Sequence, residues 1–385
     1  AALDISFLGS TLDSRVTFSR TSAATYVGSD GYIAYAPMNL LTYSEQFDNA
    51  VWVVYGGTSK TGTNVAVAPD GTMTADSVRL VTPAVAQLYQ LVNFAANTTY
   101  TISMYVMRNA SSNQTFRLKG QNATSSDLFS SDFTATNTWQ RFSYTFTTSG
   151  TAFTGSTSIA IDSSSNTADL LIWGAQLVQG SSALTYSATT SAVYYGPRFE
   201  YNPTTLAPKG LLIEQSSTNS LTYSQDFTNA AWNKSTCTVT PNVVTAPDGT
   251  LTGAELASTG SGSRITQGNI VVNATSCTFS AFVKVDGATD YGITLLAYNS
   301  TKSVTIGQTN ALITSGTPYA NGWYRHSYTF TTGANFASGD SVTFYLYTDS
   351  SNGSVAGSKL YAWGLQAEAG ISFPTSYIPT TSATV

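Results

Sequence analysis

The chain has 385 residues, of which 10% are charged, 42% apolar and 12% aromatic, with a formal net charge of −5. That length suits two or three domains, each able to bury a core, and the aromatic content excludes a disordered chain. No basic stripe is present to meet a nucleic-acid backbone, and no apolar run approaches the roughly 20 residues of a membrane-spanning helix.

The first segment, residues 1–36, includes RVTFSRTSAATYVGSDGYIAY, strand-like runs broken by a Gly-Ser-Asp-Gly turn. Its start, AALDI, lacks the basic-then-apolar layout of a signal peptide. A first module, 37–192, then opens on NLLTYSEQFDNAVW from Asn39, and a second, 215–385, opens on NSLTYSQDFTNAAW from Asn219. The likeness continues. APDGTMTADSV from Ala68 matches APDGTLTGAEL from Ala246, and YTISMYVM from Tyr100 matches CTFSAFVK from Cys277. WQRFSYTFTT from Trp139 matches WYRHSYTFTT from Trp323, and IWGAQL from Ile172 matches AWGLQA from Ala362. The tryptophans fall into pairs: Trp52 with Trp232, Trp139 with Trp323, Trp173 with Trp363. A period this long is a duplicated domain, since solenoid repeats run about 20–50 residues.

Each copy reads as strands. Ile102, Met104 and Val106 alternate with polar neighbours, as do Phe142, Tyr144 and Phe146, and Val342, Phe344 and Leu346. The only helical candidate is one turn in SEQFDNAVW, capped by Ser44. Many short strands per module predict an all-β chain of two tandem jelly-roll sandwiches. Between them lies a connector, 193–214, with its own Gly and Pro turns. It is free to pair with residues 1–36, which would make module one an insertion in one small β element. The paired tryptophans sit in the best-matched strands and are expected to be core. Cys237 and Cys277 allow either one disulfide or two buried thiols.

Chemistry is sparse. The one histidine, His326, stands where module one has Phe142, which marks a packed position. Neither a GxSxG elbow nor a histidine cluster accompanies it, and no convincing acid/base pair for glycoside hydrolysis emerges. Asp70 and Asp248 sit in the APDGT turn and are expected to serve its geometry. Asp76 and Glu255 follow at what read as matching places, and are the candidates for a structural Ca²⁺ completed by backbone carbonyls.

Binding is the better expectation. Tyr345 and Tyr347 alternate with inward residues and point outward where module one has Ala160 and Asp162. Tyr298 replaces Gln121, and Phe282 and Lys284 replace Tyr105 and Met107. Module two is therefore expected to present Phe282, Lys284, Tyr298, Tyr345 and Tyr347 on one sheet face, where sugar C–H surfaces can stack. Module one would present Tyr105, Arg117, Lys119 and Asp162, a charged face suited to an acidic polysaccharide or a neighbouring protein. Ordinary β-propensity or a subunit contact also accounts for exposed tyrosines, and that alternative stays open.

RVTFSRTSAATYVGSDGYI, PRFEYNPTTLAPKGLLIEQSSTN and LTYSQDFTNAAWNK together resemble a cassette of tailed-bacteriophage virion proteins, of the tail-fibre, head-fibre and decoration type. The modules with WYRHSYTFTT and AWGLQAEAG resemble the jelly-roll carbohydrate-binding modules of glycoside hydrolases. The resemblance implies a non-enzymatic virion appendage, made in the bacterial cytoplasm without a signal peptide. It implies host adhesion through glycans, with residues 1–36 holding other virion proteins. A purely structural fibre or decoration protein is the alternative, and a polysaccharide depolymerase a more distant one. A homotrimer would suit a fibre. Such modules often carry the calcium ion suggested for Asp76 and Glu255.

Overall fold

A computed structural model describes residues 7–8, 12–13, 15–81, 86–95, 98–121, 127–148, 157–163, 166–287, 289–382 and 384. Among them the regular elements are strands, apart from the 3-10 turns Ile313–Ser315 and Ala320–Gly322. The chain forms two compact units. One comprises Ala1–Thr17, Ala24–Ala34 and Pro197–Val385; the other comprises Phe18–Ala23 and Tyr35–Gly196. In sequence, module one is thus inserted in the unit that contains module two.

A hairpin opens the described strands: β1 (Thr25–Val27) and β2 (Ile33–Tyr35). Its Gly28-Ser-Asp-Gly31 turn is closed by Gly31 N–H on Gly28 O, with Gly31 at φ +83°. Module one then runs β3 (Met38–Asn39), β4 (Val53–Gly56), β5 (Thr58–Ala66), β6 (Ala75–Leu80), β7 (Ala86–Val92) and β8 (Thr99–Arg108). It continues through β9 (Gln114–Gln121), β10 (Asp127–Ala135), β11 (Gln140–Thr147), β12 (Thr157–Asp162), β13 (Ala168–Gln179) and β14 (Tyr194–Tyr195). Two sheets form, in the orders β10-β9-β12-β7-β4 and β11-β8-β13-β6-β5.

The hairpin β15 (Phe199–Tyr201) and β16 (Pro208–Leu211) leads to module two. There follow β17 (Asn233–Ser235), β18 (Cys237–Val244), β19 (Gly253–Ser258), β20 (Arg264–Val271), β21 (Ser276–Val285) and β22 (Ile293–Asn299). Last come β23 (Val304–Ala311), β24 (Thr317–Pro318), β25 (Tyr324–Thr331), β26 (Ser341–Tyr347) and β27 (Lys359–Ala369). The sheets are β17-β20-β26-β22-β23 and β18-β19-β27-β21-β25-β24. Apart from the short edge strand β24, this is the strand order of module one. Both modules are antiparallel jelly-roll sandwiches, so the fold is all-β as the alternation predicts.

Each core comes from the inward half of the alternation. Ile102, Met104, Val106, Ile159 and Ile161 are fully buried in module one, as are Phe279, Leu295, Val342, Phe344 and Leu346 in module two. Burial of each such side chain contributes on the order of 1.5–3 kcal/mol. The repeated fourteen residues are a clasp. Asn39 Nδ2 donates to Ala175 O and Ser187 O, both at 2.9 Å, while its Oδ1 accepts from Leu41 and Leu177 N–H. Asn219 does the same with Leu365 O and Ile378 O, and with Leu221 and Ala367 N–H. A buried amide that makes all four bonds fixes the strand on either side of it. Trp52 and Trp232 each donate Nε1–H to a tyrosine carbonyl, Tyr43 O and Tyr223 O, at 2.9 Å. Both tyrosines hold left-handed φ values, 49° and 50°, uncommon for a non-glycine residue.

SEQFDNAVW forms turns and not the helical turn expected; Ser44 Oγ instead accepts from Thr189 N–H at 2.8 Å. Among the described residues, 1–36 and the connector do not pair with each other as strands: β1 pairs with β2, β15 with β16, and Tyr194–Tyr195 with Met38–Asn39. Arg198 ties the two hairpins, donating to Thr25 O at 3.0 Å and to Glu214 at 2.7 Å. Ile33 is buried among Ala246, Trp323 and Trp363. Much of the segment expected to hold other proteins is therefore packed within its own unit. Residues 1–6, 9–11 and 14 of it lie outside the described residues.

Candidate functional site

The tyrosine face of module two lies on the sheet β17-β20-β26-β22-β23. Period-2 alternation on β26 puts Val342, Phe344 and Leu346 in the core and leaves Tyr345 and Tyr347 half-buried on the outer side. Their rings stack at 5.9 Å with 11° between planes, and Tyr298 of β22 meets Tyr345 edge-on at 6.4 Å. Register brings Arg264 of β20 opposite Tyr347, and its guanidinium lies 5.7 Å from the Tyr345 centroid and 5.6 Å from that of Tyr347. Arg264 Nη1 donates to Gly262 O at 2.7 Å, while Nε has no partner. Burial raises both phenols above their ordinary value, with Arg264 opposing it. At neutral pH they remain hydroxyl donors and acceptors. Leu296 lies opposite Tyr345, and Gln308 of β23 opposite Leu296. Gln308 in turn donates to Asn310 Oδ1 at 2.9 Å and Asn352 Oδ1 at 3.2 Å. The face thus offers an aromatic platform, one cation and a row of amides, the set that holds a sugar ring by stacking and hydroxyl hydrogen bonds.

Two of the five expected residues belong elsewhere. Phe282 and Lys284 lie on β21, in the other sheet. Phe282 is fully buried among Tyr319, Trp363 and Tyr377, at centroid distances of 4.9, 5.4 and 6.0 Å, with Arg325 over its ring. The outward side of that sheet is covered by the chain's own C-terminal segment, so outward does not mean exposed. Half-buried Lys284 pairs across the sheet with Tyr361.

The four residues expected on module one do not form such a platform. Tyr105 lies on β8, in the sheet opposite the expected face, against Trp173 at 5.4 Å and Tyr186 at 6.3 Å. Arg117, Lys119 and Asp162 do share a sheet, but their charges meet carboxylates and ammonium within the chain. Arg117 pairs with Asp132 at 2.7 Å, and Lys119 pairs with Asp162 at 2.9 Å in a nearly dry setting. What reads as an open charged face is one buried ion pair and one surface pair with Asp132 more than half exposed.

The calcium candidates, one in each module, are both engaged within the chain. Asp76 is buried on β6, where its oxygens accept from Phe47 N–H at 2.9 Å and Asn64 N–H at 2.8 Å. Burial pushes its carboxyl up despite those bonds. Glu255 on β19 pairs with Lys359 at 3.6 Å. They are also one residue out of step: Asp76 lies across from Ile172, and Ala254, not Glu255, lies across from the matching Ala362. Among the described residues no group of three or more His, Cys, Asp or Glu could hold a metal. Asp70 and Asp248 each accept from the N–H and hydroxyl of the threonine two residues on, which closes the turn. His326 is buried, its Nε2 hydrogen-bonded to Ile313 O at 2.8 Å, and burial lowers its pKa. Cys237 and Cys277 are both free thiols.

No curated protein matches the chain significantly. Among solved structures, a tandem pair of family-22 carbohydrate-binding modules from Paenibacillus barcinonensis Xyn10C is 13% identical. It covers 87% of this chain and 97% of its own, with a TM-score of 0.32. The enzymatically active domain of tailspike protein 4 of bacteriophage CBA120 is 14% identical over 37% of this chain and 21% of its own, at a TM-score of 0.28. At such scores neither carries an argument about ligand or role. In sequence, residues 39–166 match the family described as a carbohydrate-binding domain.

Proposed function

We propose that the protein binds glycans without catalysis, and that the outer face of β17-β20-β26-β22-β23 is its sugar site. The observation that carries this is the stacked pair Tyr345 and Tyr347, with Tyr298 at their edge and Arg264 over both rings. The carbohydrate-binding match at 39–166 supports it, because module two repeats module one strand for strand. The non-catalytic reading is supported by the state of the candidate groups: His326 is buried and bonded, and Asp70, Asp76 and Asp248 hold backbone N–H groups. The setting we infer is a virion surface appendage of a tailed phage, which adheres to a host-surface polysaccharide and holds other virion proteins. That setting rests on the cassette resemblance, and a homotrimer would fit it.

The test is binding of the full chain to host surface polysaccharide beside the Tyr345→Ala/Tyr347→Ala variant, with circular dichroism to show that the variant is folded. Loss of binding in a folded variant is expected. Equal binding by both would remove the sugar site from this face, and no binding by either at millimolar sugar would overturn the glycan reading.

A further inference from the structure

Module two uses one more surface than its sheets need, and module one carries the same surface uncovered. In module two the APDGT turn and the neighbouring tryptophans receive the β1–β2 hairpin. Ile33 N–H donates to Pro247 O at 2.8 Å, and Ile33 packs with Ala246, Trp323 and Trp363. The Tyr32 ring rests where a Cβ on Gly249 would come within 3.4 Å, and its hydroxyl accepts from Asn321 at 3.1 Å. Under this cover Trp323 has no exposed surface, and burial raises the Asp248 carboxyl.

The counterpart in module one is built from the same residue types. Ala68, Trp139 and Trp173 stand for Ala246, Trp323 and Trp363, and they cluster with Ala75 as their counterparts do with Phe282 and Tyr377. Among the described residues no hairpin packs on it. Gly71 has open space where Gly249 meets Tyr32, and the Pro69 carbonyl takes no backbone hydrogen bond among the described residues. Trp139 is partly exposed, where its counterpart Trp323 is buried. Asp70 shows the same contrast: its turn hydrogen bonds lower its carboxyl, where burial raises that of Asp248.

We propose that this face of module one is a docking site for a β-hairpin carried by another protein, one that presents a Tyr-Ile pair after an Asp-Gly turn as β1–β2 does. The chain's own hairpin already occupies the matching face in module two, and a second copy of the chain has its hairpin engaged in the same way. The open face therefore calls for a hairpin from a different polypeptide. Recognition would join one backbone hydrogen bond to Pro69, a tyrosine ring over Gly71, and an aliphatic side chain on Trp139.

The probe is an end-cyclised peptide of residues 24–36, titrated into the full chain by calorimetry; closure keeps a short hairpin folded that would otherwise be marginal. One peptide per chain is expected. Two changes locate it without disturbing the core. In the chain, Gly71→Asn fills the ring's place with a residue that tolerates the left-handed φ of +87°, and in the peptide Ile33→Asp removes the aliphatic side chain meant for Trp139. Each should weaken binding at least tenfold. No binding at millimolar peptide, or binding that both changes leave unaltered, would overturn the proposal. So would self-association of the chain abolished by Gly71→Asn without peptide binding, since the occupant would then be a second copy.

Discussion

The ion pair Lys119–Asp162 decides whether module one offers a charged surface or a sealed one. Its two side chains are 6 and 4% exposed and 2.9 Å apart. Asp162→Asn leaves a buried ammonium without its carboxylate, and loss of one partner of such a pair costs about 3–5 kcal/mol. For a module of this size each kcal/mol lowers Tm by roughly 2–4 °C, so its transition should fall by roughly 6–20 °C in scanning calorimetry. Lys119→Met should cost a similar amount, for the mirrored reason. The double variant Lys119→Met/Asp162→Leu removes both charges and keeps the volume, and should recover most of the loss. Single variants that cost under about 1 kcal/mol, the range of a hydrated surface pair, would refute the buried-pair argument and return a charged face to module one.

Other predictions concern module two. Phe282→Ala should cost about 3–5 kcal/mol in denaturant unfolding, while the folded fraction binds glycan as before; weakened binding in a folded variant would put Phe282 back in the site. Burial lowers the His326 pKa, so the unfolded chain takes up this proton first as pH falls. Stability from this group is full above the unfolded value of about 6.5 and declines below it, towards the lower folded value. His326→Phe should flatten the denaturation midpoint between pH 7 and pH 5 relative to the parent, beside which Asp290, bonded to Ile313 and Thr314, stays unchanged. Parallel profiles would refute it. Cys277 is buried, and burial pushes its thiol up to about 12; it should resist thiol reagents at pH 8 until the chain unfolds. Intact mass under non-reducing conditions should show both cysteines reduced.

The fold was legible because alternation and duplication are local properties. Val342, Phe344 and Leu346 could only be the core side of one strand, which left Tyr345 and Tyr347 outward. Alternation says which side of its own sheet a residue faces, but not which sheet, nor what lies over it. Phe282, Lys284 and Tyr105 were misplaced for that reason, since β21 and β8 belong to the sheets opposite the expected faces. Arg264 escaped notice because its place beside Tyr347 depends on the β20–β26 register, a long-range property. Asp76 and Glu255 show how narrow the margin is: a one-residue slip in alignment exchanges the two sides of a strand. The ion pairs Arg117–Asp132 and Lys119–Asp162 were hidden likewise, because each joins residues of different strands.

The hairpin also sets an order of events. Thr25 Oγ1 donates to Tyr377 O across 352 positions of chain, and Ile33 waits for Ala246, Trp323 and Trp363. During synthesis the inserted unit Tyr35–Gly196 is complete long before those partners exist, and domains fold as units in order of emergence. The equilibrium cost of so long a closure is small, because it grows only with the logarithm of length, but contacts this distant form late. Two strands made long before their partners are thus among the last to find their place, and a nascent chain stopped short of Tyr377 would keep them unsheltered.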